Sequence, residues 1–231
     1  LILLRNLLIL IRKIIMSKII IGTSNPGKIR EIASILSPLG YEIEPHALDV
    51  DETGKTIKDN AIIKAKAYSN VFPDTYVIAE DSGLVVPKLN NLPGPYSARF
   101  HEITIDDNLN VINVPHEEFT TDKSEHDKLN NEKLLKYIKD IPFNERAAYF
   151  EVCFAIAKNG IIQETFSGYS YGYISDELRG TNGFGYDPLF IGENTFGKTY
   201  AELDSARKNL KSHRKQALKQ LGLWVSQNIE N

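Results

Sequence analysis

Five short stretches hold residues whose types and spacing suit chemistry. Glu80-Asp81-Ser82-Gly83 interrupts the otherwise apolar, β-branched run Tyr76 to Val86. Two carboxylates in a buried-strand pattern are costly unless a cation or hydrogen-bond donors meet them. Carboxylates at strand ends are also where α/β folds place metal and phosphate chemistry. Alone, the segment predicts a tight Asp-Ser-Gly turn between two strands. Asp51 and Glu52 lie in the acidic loop Asp49 to Gly54, and as a bland alternative they are solvated loop charges. With Glu80 and Asp81 they are the candidate ligands for a hard cation. Histidines and cysteines are too sparse to suggest a zinc site. Magnesium takes one or two carboxylates and completes its shell with water and substrate oxygens. A carboxylate beside it can orient or deprotonate a water nucleophile.

The other three stretches suit a polyanion and a flat ring. Thr23-Ser24-Asn25-Pro26-Gly27-Lys28 is a polar turn between a strand pattern and a helix pattern. Such a turn presents backbone N–H groups and a positive dipole end, and Lys28 adds a cation that opposes that dipole and wants an anionic partner. An ordinary capped helix reads equally well, and the spacing is not that of a P-loop. In Gly180 to Phe190, glycines on both sides of Phe184 leave its ring face accessible as a nucleobase platform, while Asp187 is restrained by Pro188. A glycine-bent strand with core aromatics is the plainer reading. Lys208, Lys211, Arg214 and Lys215 crowd one helical segment, and phosphate oxygens or a base carbonyl would relieve their repulsion. A solvated basic face is the alternative there. Phosphate, divalent cation, flat base and phosphate again converge on nucleotide chemistry.

Positioning these groups requires an α/β chain. Lys18 to Gly22 predicts a strand, and apolar residues at 29, 32, 33, 35 and 36 predict a helix entered through Ser24 or Asn25 with Pro26 in its first turn. Tyr41 to Pro45 reads as a second strand and Thr56 to Asn70 as a second helix. Pro87 to Phe100 is a shaped Gly/Pro loop. His101 to Asp127 is polar and aperiodic, which predicts an insertion or mobile flap before a helix over Asn130 to Ile141. Arg146 to Lys158 and Ile161 to Phe166 predict an antiparallel pair joined by an Asn159-Gly160 turn, followed by a separate strand over Tyr169 to Ile174. Thr199 to Asn231 reads mostly as helix, entered at Ala201-Glu202-Leu203.

The totals set the class. The chain has 231 residues, 42% hydrophobic and 25% charged, as expected of a soluble α/β protein of one two-lobed domain. A net charge of -3 gives no global attraction to nucleic acid. The single cysteine, Cys153, excludes an internal disulfide, and its apolar neighbours make it a buried hydrophobe. A cytoplasmic setting is expected. Leu1 to Ile15 is too short and too basic for a membrane span, so no membrane partner is expected. These residues read as a leader or upstream extension before a domain starting at Met16, the only methionine.

Thr-Ser-Asn-Pro-Gly-Lys at 23–28, Glu-Asp-Ser-Gly-Leu at 80–84, Pro-Gly-Pro-Tyr-Ser-Ala-Arg at 93–99, Gly-Phe-Gly-Tyr-Asp-Pro at 183–188, Lys-Thr-Tyr-Ala-Glu-Leu at 198–203 and Ser-His-Arg at 212–214 occur in that order. The set resembles the inosine/xanthosine triphosphate pyrophosphatase family, enzymes that clear non-standard purine nucleotides. The likeness runs from Met16 to about Leu223. It implies a long twisted mixed β-sheet flanked by helices, two lobes with a central cleft, and a homodimer. It implies Mg²⁺-dependent hydrolysis of ITP, dITP and XTP to monophosphate and pyrophosphate, with one ion per subunit. By motif match Asp81 is the general base and a metal ligand, with Ser82 beside the substrate. Thr23, Ser24, Asn25, Pro26, Gly27 and Lys28 hold the triphosphate with Lys208. Phe184, Gly185, Tyr186 and Asp187 form the base pocket, completed by His213 and Arg214 at the purine 6-oxo edge. The family usually has glutamate where Asp51 stands, so the second metal ligand is Asp51 or Glu52. The stretch over 101–127 is longer than the family's. Gly-Phe-Gly-Tyr-Asp and Ser-His-Arg argue against the related Maf-like pyrophosphatases. Asp81, Lys28 and Lys208 argue against a catalytically silent nucleotide-binding module.

Overall fold

The computed structural model describes residues 17–115, 122–204 and 213–229. The expected leader, Lys208 and the side chain of His213 lie outside the described residues. Among those described, a mixed sheet runs in the order β2 (Glu42–His46), β1 (Lys18–Gly22), β3 (Tyr76–Val86), β7 (Ala147–Lys158), β8 (Ile161–Ile174) and β9 (Phe190–Gly192), with β4 (Leu92–Pro93) attached to β3. The chain divides into two compact units. One takes the described residues within Leu1–Asp81, Cys153–Ser167 and Gln216–Asn231, the other those within Ser82–Val152 and Gly168–Lys215.

In the first unit β1 (Lys18–Gly22) pairs in parallel with β2 (Glu42–His46) and with β3 (Tyr76–Val86). Parallel strands need covering on both faces, which accounts for the buried run Ile19, Ile20 and Ile21. Helix α1 (Pro26–Leu36) follows β1 and buries Ile32 and Leu36. Helix α2 (Ile57–Val71) opens with a reciprocal capping box. Thr56 accepts from the Asp59 amide at 3.1 Å, and the Asp59 carboxylate accepts from the Thr56 amide at 3.1 Å. Such a cap stabilises the helix start by about 1 kcal/mol. Tyr68 of α2 packs with Ile20 and Val77, and its hydroxyl accepts from the Leu48 amide at 2.7 Å.

The second unit has its own core, which includes Leu84, Phe100, Leu134, Ile138, Leu189 and Phe190. Helix α3 (Lys123–Ile138) supplies Leu134 and Ile138, and β8 (Ile161–Ile174) pairs antiparallel with β9 (Phe190–Gly192). Strands β7 (Ala147–Lys158) and β8 form the expected hairpin. Its turn residues Asn159 and Gly160 take φ of 52° and 74°, as a two-residue turn requires. Helix α4 (His213–Asn228) belongs from Gln216 onward to the first unit, where it buries Ala217, Leu218 and Leu221.

Four expectations are corrected. Tyr76 to Val86 contains no turn: all 11 residues form β3, and Gly83 lies within it. Ile161 to Ile174 is one strand of 14 residues, because Ser167 and Gly168 continue the extended backbone. The polar stretch after His101 includes the hairpin β5 (Thr104–Ile105) with β6 (Val111–Asn113), and α3 already begins at Lys123. Ala201 and Glu202 belong to a separate 3₁₀ turn, after which Leu203 is extended. No helix among the described residues is long and apolar enough to cross a membrane.

Candidate active site

Strand β3 carries Glu80 and Asp81 as buried residues, 3% and 9% exposed. The groups that make this tolerable come largely from α2. Asn60 and Lys64 stand one turn apart, so both point to the same side of the helix. Asn60 donates from Nδ2 to Asp81 Oδ2 at 3.2 Å, and Lys64 Nζ lies 3.4 Å from Asp81 Oδ1. Lys64 also reaches Glu52 Oε1 at 3.1 Å. Burial alone would push the Lys64 ammonium down, but the pull of Asp81, Glu52 and Glu80 outweighs it and leaves the group above the ordinary lysine value of 10.5. Glu80 is paired with Lys28 of α1.

The acidic loop is seated by the same asparagine. Asn60 Oδ1 accepts from the Gly54 amide at 2.8 Å, and a Cβ on Gly54 would lie 2.5 Å from that oxygen. Gly54 therefore allows the close approach that brings Glu52 to Lys64. Asp51, the sequence-based metal candidate, is exposed. Glu52 rather than Asp51 joins Asp81 through a shared lysine.

The turn before α1 is capped from within. Asn25 Oδ1 accepts from the amides of Gly27 at 2.9 Å and Lys28 at 3.3 Å, and Thr23 Oγ1 accepts from the Asn25 amide at 3.2 Å. Ser24, Asn25 and Pro26 are exposed. An anion at this helix start would share or displace the Asn25 carboxamide.

The second unit contains the remaining described candidates. Arg214 donates from Nη2 to Ser82 Oγ at 3.2 Å. Phe184 is 67% exposed, as its flanking glycines suggest, and Lys123 Nζ lies 5.2 Å from its ring centroid. The Asp187 carboxylate is buried and accepts from the Phe184 amide at 2.9 Å. Gly183, at φ 83°, leaves room for this, since a Cβ there would sit 2.0 Å from Asp187 Oδ2. Tyr186 is a core residue whose hydroxyl donates to the Ser97 carbonyl at 2.8 Å, and burial pushes its phenol well up. It shapes the loop instead of offering its ring.

Two further residues fix this loop. Asp127 Oδ2 accepts from the Gly185 amide at 2.7 Å, and Asn131 Nδ2 donates to the Gly185 carbonyl at 2.8 Å. Asn60, Lys64, Asp127 and Asn131 were not among the candidates. Asn60 was signalled as a polar residue three after buried Ile57 in the apolar stripe of α2, whereas Asp127 and Asn131 carried no comparable signal.

A model of the Ham1 family matches residues 19–224. The chain belongs to the Ham1 family. It is 40% identical over 213 residues to the dITP/XTP pyrophosphatase of Bacillus subtilis, covering 90% of this chain and 96% of that protein. The counterpart from Bacillus licheniformis is 38% identical and covers 92% of this chain and all of the relative (100%). Among solved structures, a HAM1 protein from Coxiella burnetii superposes with a TM-score of 0.74 at 31% identity, covering 92% of this chain and 100% of that one. The Staphylococcus aureus Ham1 protein superposes at 0.72, also 31% identical, covering 91% and 99%. In this Ham1 chain the matched span includes every described candidate residue named above.

Proposed function

We propose that the chain hydrolyses the non-standard purine triphosphates ITP, dITP and XTP to the monophosphate and pyrophosphate. The observation that carries this reading is the buried Asp81 carboxylate, held by Asn60 and Lys64. Around it, among the described residues, the carboxylates of Glu52, Glu80 and Asp81 gather at the ammonium groups of Lys28 and Lys64. A triphosphate would be repelled by such a cluster without a divalent cation. The donors are all oxygen, which fits Mg²⁺. Asp81 would hold one ion per subunit with Glu52, the acid of the Asp51/Glu52 pair that meets Lys64. When bound, that ion supplies charge neutralisation at the phosphate oxygens.

Asp81 takes a proton from water as the water oxygen bonds to phosphorus. The anhydride bond between the α- and β-phosphates breaks, and pyrophosphate leaves with the electron pair. Lys64 and Asn60 keep the carboxylate oriented for that transfer. The turn at 23–28 receives phosphate oxygens with Lys208, and Ser82 lies beside the substrate. Phe184 stacks on the base, while the loop of Gly185, Tyr186 and Asp187 shapes its pocket. His213 and Arg214 donate to the 6-oxo group, which accepts hydrogen bonds where the adenine amino group opposes them. Guanine shares the 6-oxo group, so its exclusion falls to contacts at the 2-position.

A cytoplasmic homodimer completes the proposal. The second unit exposes Phe143, Tyr171 and Tyr173 at 53%, 54% and 37%, and the Phe143 and Tyr173 rings stack with centroids 5.5 Å apart. Exposed aromatic surface of this kind suits a subunit contact.

Pyrophosphate release from ITP, XTP, dUTP, GTP and ATP, each with and without Mg²⁺, tests the reading. Magnesium-dependent release from ITP and XTP, at least tenfold above the other three, is the expected result. Release favouring dUTP would point to Maf-like chemistry. Nucleotide binding without turnover would make the chain a silent binding module.

A further inference from the structure

The second unit holds a cluster of nitrogen and oxygen donors that the proposed hydrolysis does not use. His101, Glu102 and His126 each offer a ligand atom, and these atoms all lie within 4.8 Å of one another. Glu102 Oε1 is 3.6 Å from His101 Nε2 and 3.8 Å from His126 Nδ1. Those separations exceed hydrogen-bond lengths. They are close to the roughly 3.3–3.5 Å between ligand atoms around a tetrahedral ion with bonds near 2.1 Å. The histidines looked too sparse for zinc along the sequence. The start of α3 brings two of them together, with ring centroids 4.8 Å apart.

One ring is oriented by a buried asparagine. Asn130, 2% exposed, donates from Nδ2 to the carbonyls of Ser97 at 3.3 Å and Ala98 at 3.1 Å. Its Oδ1 therefore faces His101, accepting from the backbone amide at 2.8 Å and meeting Nδ1 at 2.9 Å. An acceptor there requires the proton on Nδ1. That leaves Nε2 as the nitrogen on the Glu102 side of the ring, 3.6 Å from Glu102 Oε1. A partner that fixes the tautomer of a histidine and aims its other nitrogen is the usual support of a metal ligand.

We propose that His101, Glu102 and His126 bind a transition-metal ion of the zinc class, leaving a fourth coordination position for water. The ion ties residues 101–102 to the first turn of α3. His126 directly precedes Asp127, which accepts from the Gly185 amide, so the metal steadies the helix that grips the Phe184 loop. The role is structural, and it does not depend on the proposed hydrolysis.

Calorimetric titration of the full chain with Zn²⁺, in excess Mg²⁺ and without nucleotide, tests the site. The expected result is one Zn²⁺ per chain at micromolar affinity or tighter, with a higher Tm. His101→Ala and His126→Ala should each weaken binding at least tenfold and remove the Tm shift, and the milder His126→Gln should do the same with an unchanged circular dichroism spectrum. X-ray absorption of the zinc form should report two imidazoles. Affinity weaker than about 100 μM, a loss below tenfold in the histidine variants, or a shell without imidazole would overturn the proposal.

Discussion

At the scale of residues, the decisive group is Asp81, and its surroundings are an exercise in compensation. A carboxylate buried in a strand needs donors, and Asn60 and Lys64 provide them. Lys64 faces more than one acid, which is why its ammonium is held above 10.5 despite burial. A lysine whose folded value is raised contributes stability in full below 10.5 and loses it only as pH climbs through the higher folded value. Lys64→Met should therefore lower unfolding free energy by about 3 kcal/mol, by removing one partner of a buried pair. That deficit should stay constant between about pH 7 and pH 9. Urea unfolding at several pH values checks it, and a deficit that vanished by the alkaline end would contradict the charge assignment.

At the scale of elements, β3 shows why Asp-Ser-Gly misleads. The three residues have turn chemistry, yet the chain runs through them in extended form. Gly83 is required for another reason: a Cβ there would lie 2.3 Å from Ser97 Oγ and 2.4 Å from the Gly94 carbonyl. Ser97 in turn accepts from the Leu84 amide at 2.9 Å and donates to the Gly94 carbonyl at 2.6 Å. The proline-rich stretch beside β3 is thus bolted to it through a hydroxyl that only glycine admits. Gly83→Ala should cost about 1–3 kcal/mol, seen as a Tm several degrees lower. An unchanged melting curve would show that the contact relaxes without cost. Helix α3 makes the related point for the loop around Phe184. Its Asp127 and Asn131 hold both polar groups of the Gly185 backbone, so a stretch that looks like a polar insertion works as a clamp.

At the scale of the whole molecule, much was legible in the residues. Strands β1 and β3 follow from their β-branched runs, the α1 start from Asn25 and Pro26, and the β7–β8 turn from Asn159-Gly160. The candidate site was legible as motifs, because each motif is local in sequence. What joins them was not. Asn60 and Lys64 reach Asp81 across 21 and 17 positions, and no local periodicity encodes such a contact. That Glu52 meets Lys64 depends on Gly54 packing against Asn60, a tertiary fact. The same holds for His101 and His126, whose pairing needs α3 to begin at Lys123.

The proposed role of Asp81 as proton acceptor in a pyrophosphate-releasing hydrolysis is tested by the steady-state rate of pyrophosphate release from ITP by Asp81→Asn, with folding checked by circular dichroism. The substitution keeps the size of the side chain and removes its basicity. A folded variant with kcat lowered by roughly 10²–10⁴-fold is predicted, and a folded variant turning over ITP at the wild-type rate would contradict the account.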